Sequence, residues 1–159
     1  EGARTNLPPK SSTLHFYKTF DFTQAFNNTQ IEVVALVDAS SLGTVRGEVK
    51  VSDLNFFTQS AQKLKRIIGV LDVSGVSTSG FRINGPALEY IYIKNLKVSM
   101  LFNNTSALKK ESVLYIIENA KPASAITITL HPDAYALLAD DTDIVAALKA
   151  KPLITLASV

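Results

Sequence analysis

The chain is predicted to be an α/β protein built as a solenoid, with parallel strands along one face and helices or turns along the other. Three observations in its C-terminal third carry that expectation. Residues 108–120 place apolar side chains at helical spacing, and residues 126–130 (Ile-Thr-Ile-Thr-Leu) alternate strictly between apolar and polar. The same helix-then-strand pair recurs as residues 143–150 followed by Leu153-Ile-Thr-Leu156. A unit of this size cannot bury its apolar face alone, so units repeated along one chain are expected to stack.

Taken in order, residues 1–13 hold Pro8-Pro9, Gly2 and a Ser-Ser-Thr cluster with no period, which predicts an extended N-terminal arm or linker. Residues 14–159 are expected to form one domain, with a C-terminal cap from about residue 108. Residues 14–22 alternate loosely and predict a first strand or capping segment. Repeats emerge when each Phe is aligned with the apolar residue that follows a polar or small turn. Phe26, Phe57, Phe81 and Phe102 begin such units, 31, 24 and 21 residues apart, and periods of about 20–29 residues belong to leucine-rich repeats. The segments after the first three Phe positions, residues 31–37, 64–71 and 88–93, are strand-like. The longer first interval leaves room for an inserted strand or hairpin around Val45–Val51. Strands at residues 31–36, 64–67, 88–93, 126–130 and 154–156 are expected to lie side by side, mostly parallel.

In the cap, Leu114, Ile117 and Ala120 share one helix face, with Val113 and Ile116 near its edge. Leu137, Leu138, Ile144 and Leu148 are expected to pack there too. His131-Pro132-Asp133 has the chemistry of a helix start, and Asp141 or Thr142 is a candidate N-cap for the last helix. The oxygens of residues 140–143 could suggest Ca²⁺, but the spacing lacks the Gly and distal Glu of a calcium loop, so capping is the favoured reading.

With 159 residues and 47% hydrophobic content the chain can bury a continuous core. Its 16 basic and 14 acidic residues leave a net charge of +2 with the cations scattered, which argues against nucleic-acid binding. Cysteine is absent, which excludes disulfides and thiolate chemistry. Each apolar run is interrupted well short of a membrane span, so no membrane insertion is expected. The two histidines, His15 and His131, lie far apart, and no nucleophile elbow, P-loop, dinucleotide fingerprint or metal-binding spacing is present. The expectation is therefore a protein that is not an enzyme, with no catalytic residue, no metal site and no cofactor.

Phe57…Ala61-x-x-Leu64-x-x-Ile67…Leu71-Asp72-x-Ser74-x-Val76 resembles the BspA-like leucine-rich repeat of bacterial surface proteins. The ending, from Lys110-Glu111-Ser112 through Ile126–Pro132 to Ile154–Ser158, is similar to the C-terminal cap of such arrays in gut Bacteroidetes and their phages. The resemblance implies a right-handed, leucine-rich-repeat-like solenoid on a cell surface or, alternatively, on a virion.

Strand alternation then selects a candidate surface. If Ile91 and Ile93 face the core, Tyr90 and Tyr92 face outward. By the same register Val33, Ala35, Arg66, Ile68, Thr127, Thr129 and Thr155 line successive rungs of a concave row. Arg66, Tyr90, Tyr92, Thr127 and Thr129 are its candidate binding residues, a mixture suited to a protein or glycan partner. The alternative for the tyrosines is cross-strand packing alone. The functional expectation is a non-enzymatic extracellular recognition or adhesion module. The alternative is a decoration or structural subunit of a phage or other assembly, anchored by the arm, and a homo-oligomer is compatible with either.

Overall fold

The computed structural model describes residues 64–77 and 79–159 together with four short preceding strands, β1 (Thr13–Phe16), β2 (Val33–Leu36), β3 (Glu48–Lys50) and β4 (Asn55–Phe56). Then follow β5 (Arg66–Asp72), β6 (Phe81–Asn84), β7 (Tyr90–Lys94), β8 (Met100–Asn104), α1 (Lys110–Asn119), β9 (Ile126–Leu130), α2 (Pro132–Leu138), α3 (Thr142–Ala150) and β10 (Ile154–Ser158). The expected arm lies outside the described residues up to residue 12, as do the Phe26 and Phe57 turns and the first two residues of the strand expected from residue 31.

The described strands form two sheets, and every pairing among them is parallel. Sheet one runs β1-β2-β5, with β3 beside the C-terminal half of β5 and β7 on the opposite edge of β5. Sheet two runs β10-β9-β8-β6-β4. From β5 to β8 the chain alternates between sheets, so each parallel neighbour is reached by a crossover through the other sheet. The chain is thus mixed α/β with parallel sheets, as expected. The five strands expected in one row are instead divided: β2, β5 and β7 belong to sheet one, β9 and β10 to sheet two. The segment around Val45–Val51 supplies β3, an inserted strand parallel to β5 rather than a hairpin.

The sequence period is visible in the turns. Asn84-Gly-Pro-Ala-Leu88 and Asn104-Thr-Ser-Ala-Leu108 each close a turn by a backbone bond from the final Leu N–H to the carbonyl of Gly85 or Thr105. Both leucines are buried. The ladder pairs Asn84 with Asn104 but Phe81 with Met100, through a register shift between Arg82 and Asn84. Aligning Phe81 with Phe102 therefore misphases the repeat, since the ladder sets Phe81 against Met100.

Helix α1 takes the place of the next sheet-one strand. The Ile91 N–H donates to Ser112 Oγ at 2.9 Å, the Lys109 N–H to the Glu89 carbonyl at 3.0 Å, and the Asn95 N–H to the Asn119 carbonyl at 2.9 Å, so the edge of β7 is closed by a helix. Helix α3 packs beside α1 in turn. This is why the strands of the C-terminal units all fall in sheet two. β9 and β10 stand 28 residues apart, Ile126 against Ile154.

One apolar cluster joins the inward residues of both sheets and the helices, among them Ile67, Ile83, Ile91, Phe102, Ile116, Ile128 and Ile144. On α1 the buried side chains are Ser112, Val113, Ile116 and Ile117. The face is rotated from the expected one, because α1 must serve both the β7 edge and the core, and Leu114 is half-buried. Ile117, Leu138 and Ile144 pack as expected, and Leu148 lies partly buried against the cluster. Leu137 does not pack: it is 77% exposed. The short helix α2 buries Ala134 and Leu138 and packs Tyr135 partly against the cluster. Pro132 opens α2 with His131 Nδ1 accepting from the Asp133 N–H, and Asp141 caps α3 by accepting from the N–H groups of Asp143 and Ile144.

Candidate functional site

The outer face of sheet one carries the candidate surface. On β7 the buried Ile91 and Ile93 alternate with half-buried Tyr90, Tyr92 and Lys94. The ladder sets Arg66 opposite Tyr90, and the Arg66 guanidinium lies 4.5 Å from the Tyr90 ring centroid. Such cation–π stacking contributes ~0.5–1 kcal/mol at an exposed position and fixes the orientation of a long side chain. A bulge between Arg66 and Val70 then advances β5 by two residues, which sets Val70 opposite Tyr92 and Asp72 opposite Lys94. Gly69 inside the bulge has φ 105°, a conformation that costs a side-chain-bearing residue strain.

Two residues along β7, Tyr92 meets Tyr115 of α1 edge to face, with centroids 5.3 Å apart and planes at 84°. This geometry is worth ~0.5–1.5 kcal/mol beyond burial. The result is a strip, Arg66–Tyr90 and Tyr92–Tyr115, of rings held in place by neighbours with their other surfaces outward. Cross-rung packing of the tyrosines is therefore present, and it pre-orders the rings that a partner would meet. Tyr115 was not among the residues selected from sequence. The signal that finds it is the rung spacing: Tyr92 to Tyr115 is the same 23-residue step that joins Asp72 to Asn95.

Thr127 and Thr129 do not join this strip. They lie half-buried on sheet two, where Thr127 pairs with Thr155 and Thr129 with Leu101 and Ala157. The continuous row expected from sequence is thus corrected to two separate faces, because α1 and α3 displace the later strands from sheet one.

The strip ends at a polar corner. Asp72 Oδ1 accepts from the Ser74 N–H and from Asn95 Nδ2, both at 2.9 Å. Burial alone pushes the Asp72 carboxyl up; the Asn95 and Ser74 hydrogen bonds and the charge of Lys94 outweigh it, and the pKa falls below its ordinary value. Asn95 itself sits at φ 58°, the left-handed region that Asn tolerates. Through its side chain to Asp72 and its N–H to Asn119 it ties the ends of β5, β7 and α1 together.

On the opposite flank of α1, Lys110 Nζ bridges Asp141 at 2.9 Å and Asp143 at 2.6 Å. The Asp143 and Asp141 hydrogen bonds raise the Lys110 pKa, and Lys110 in turn lowers that of Asp141. The acidic turn thus serves as cap and helix–helix clasp. Among the described residues no group of three His, Asp or Glu converges as metal ligands would, and no helix is long and apolar enough to cross a membrane. No protein-family model, curated protein or solved structure matches the chain.

Proposed function

We propose that the chain is a non-enzymatic extracellular recognition or adhesion module of the BspA-like leucine-rich-repeat kind, its rungs stacked as a right-handed solenoid, and that it holds a protein or glycan partner on the outer face of sheet one. The observation that carries this reading is the strip of Arg66, Tyr90, Tyr92 and Tyr115, held by the cation–π stack and the edge-to-face pair. Rings fixed in advance give contact area at low entropic cost, and a guanidinium stacked on a ring keeps its in-plane donors directed outward, where they suit carboxylate or hydroxyl acceptors. The solenoid reading is supported by the alternation of successive strands between two parallel sheets and by the repeated Asn-x-x-Ala-Leu turn.

The test is binding of the wild type and a Tyr90→Ser/Tyr92→Ser variant to a panel of immobilised glycans and surface proteins, with circular dichroism confirming equal folding. The reading expects at least one panel member to bind the wild type and to lose most of that binding in the variant. Equal binding by a folded variant would assign both tyrosines to packing alone.

A further inference from the structure

We propose that two copies of this chain associate about a twofold axis, strand β10 against β10 and helix α3 against α3. The inference stands apart from the recognition reading and concerns a different end of the molecule. It begins with β10, which closes sheet two: among the described residues it pairs with β9 alone.

Which of its backbone groups remain open follows from parity. The Ile126 N–H donates to the Leu153 carbonyl, and the Val159 N–H donates to the Leu130 carbonyl, so the odd-numbered residues of β10 address β9. In a parallel ladder the alternate residues point their N–H and C=O the other way. Ile154 N–H is satisfied locally by the Lys151 carbonyl, which leaves the N–H and C=O groups of Leu156 and Ser158 directed away from the sheet. An open edge of this kind is a template for another strand.

The same end of the chain carries the exposed large apolar side chains of the described residues. Leu137 is 77% exposed, Val145 48%, Leu153 42% and Val159 69%, and none occurs before residue 137 among the described residues. On α3, Thr142, Val145 and Lys149 fall on one exposed face by their spacing. The flank toward α1 is marked by Asp143 and its bond to Lys110. Helix α3 and strand β10 thus both carry exposed groups, on the sides away from α1 and from β9.

Charge selects the occupant. A twofold axis normal to sheet two sets β10 antiparallel to its copy and, one layer away, α3 antiparallel to its own copy. Antiparallel helices put the exposed Asp140 at the start of one, which takes no part in the Lys110 clasp, near Lys149 at the end of the other, twice over, with Val145 meeting Val145 near the axis. The surface is therefore complementary to itself, in charge and in hydrogen bonding, as an isologous interface requires.

The experiment is sedimentation equilibrium of the 159-residue chain across a wide concentration range. The wild type is expected to move from 17.2 kDa toward twice that mass. Ser158→Pro removes an outward donor at an exposed position, and Val145→Glu brings two carboxylates together at the axis; each is expected to hold the chain monomeric. Lys149→Asp is expected to weaken the dimer about tenfold or more, and the combined Asp140→Lys/Lys149→Asp variant to restore it. Because the chain has no cysteine, Val145→Cys provides a readout that leaves the strand intact: mild oxidation is expected to give one covalent dimer. A wild type monomeric at every concentration, or a dimer indifferent to Ser158→Pro and Val145→Glu, or a Val145→Cys chain that fails to cross-link, would overturn the proposal.

Discussion

Replacing Ser112 by Ala tests how helix α1 is seated on the edge of sheet one. The Ser112 hydroxyl is fully buried; it accepts from the Ile91 N–H at 2.9 Å and donates to the Glu89 carbonyl at 3.3 Å. The carbonyl keeps a second donor, the Lys109 N–H at 3.0 Å, so the substitution orphans one group, the Ile91 amide. A buried N–H without a partner costs about 1–3 kcal/mol. The better helix propensity of Ala returns roughly 0.5 kcal/mol. The expected net loss is about 1–2 kcal/mol, read as a lower urea midpoint at unchanged slope, and in a chain of this length as a fall in Tm of roughly 2–8 °C. Hydrogen exchange at the Ile91 amide should accelerate more than at Ile93, which is not hydrogen-bonded to Ser112. A loss below about 0.5 kcal/mol with Ile91 exchange unchanged would show that the helix does not close this edge.

Other outcomes follow from the same contacts. Thr105→Val removes the buried hydroxyl that donates to the Ile83 carbonyl at 3.0 Å, and is expected to cost about 1 kcal/mol in chemical denaturation, since the shape is kept and one acceptor is orphaned. Asp72 has a folded pKa below its unfolded one, so its contribution is complete above the ordinary value of 3.8 and is lost as pH falls through the folded value; Asp72→Asn should flatten the stability profile in that acidic window, measured as Tm against pH. Asn95→Gly should be more stable than Asn95→Ala by about 1 kcal/mol, the reverse of helix or strand propensity, because both lose the bond to Asp72 but only Ala is strained at φ 58°. Ile117→Ala, in the core, should cost about 2–5 kcal/mol, whereas Leu137→Ala, exposed, should stay within about 0.5 kcal/mol.

Much of the scaffold is written in two periods. The alternation of Tyr90–Ile93 and Ile126–Leu130 gives strands with one buried face each, and the caps at His131 and Asp141 follow from side chains that compete for backbone N–H groups. The assignment of strands to sheets was not legible. Whether β9 continues sheet one or sheet two depends on which element lies against the free edge of β7, and Ser112, which bonds that edge, reads from sequence as an ordinary helix interior position. The phase of the repeat was hidden for a related reason, since Phe81 and Phe102 look equivalent until the register shift beside Asn84 is known. Of the candidate site, Arg66, Tyr90 and Tyr92 were legible from strand parity. Tyr115 was hidden because it sits on a helix, where parity does not apply, and Thr127 and Thr129 were misplaced because parity was carried across two different sheets.

The central claim is that one face of this molecule, and not the other, engages a partner. The direct measurement is a titration of a binding member of the glycan and protein panel with four folded proteins: wild type, Arg66→Ala, Tyr92→Ser/Tyr115→Ser, and Thr127→Lys/Thr129→Lys. The account predicts that both sheet-one variants lose affinity by about tenfold or more while the sheet-two variant binds like the wild type. Loss confined to the Thr127/Thr129 variant, with the sheet-one variants unaffected, would contradict it.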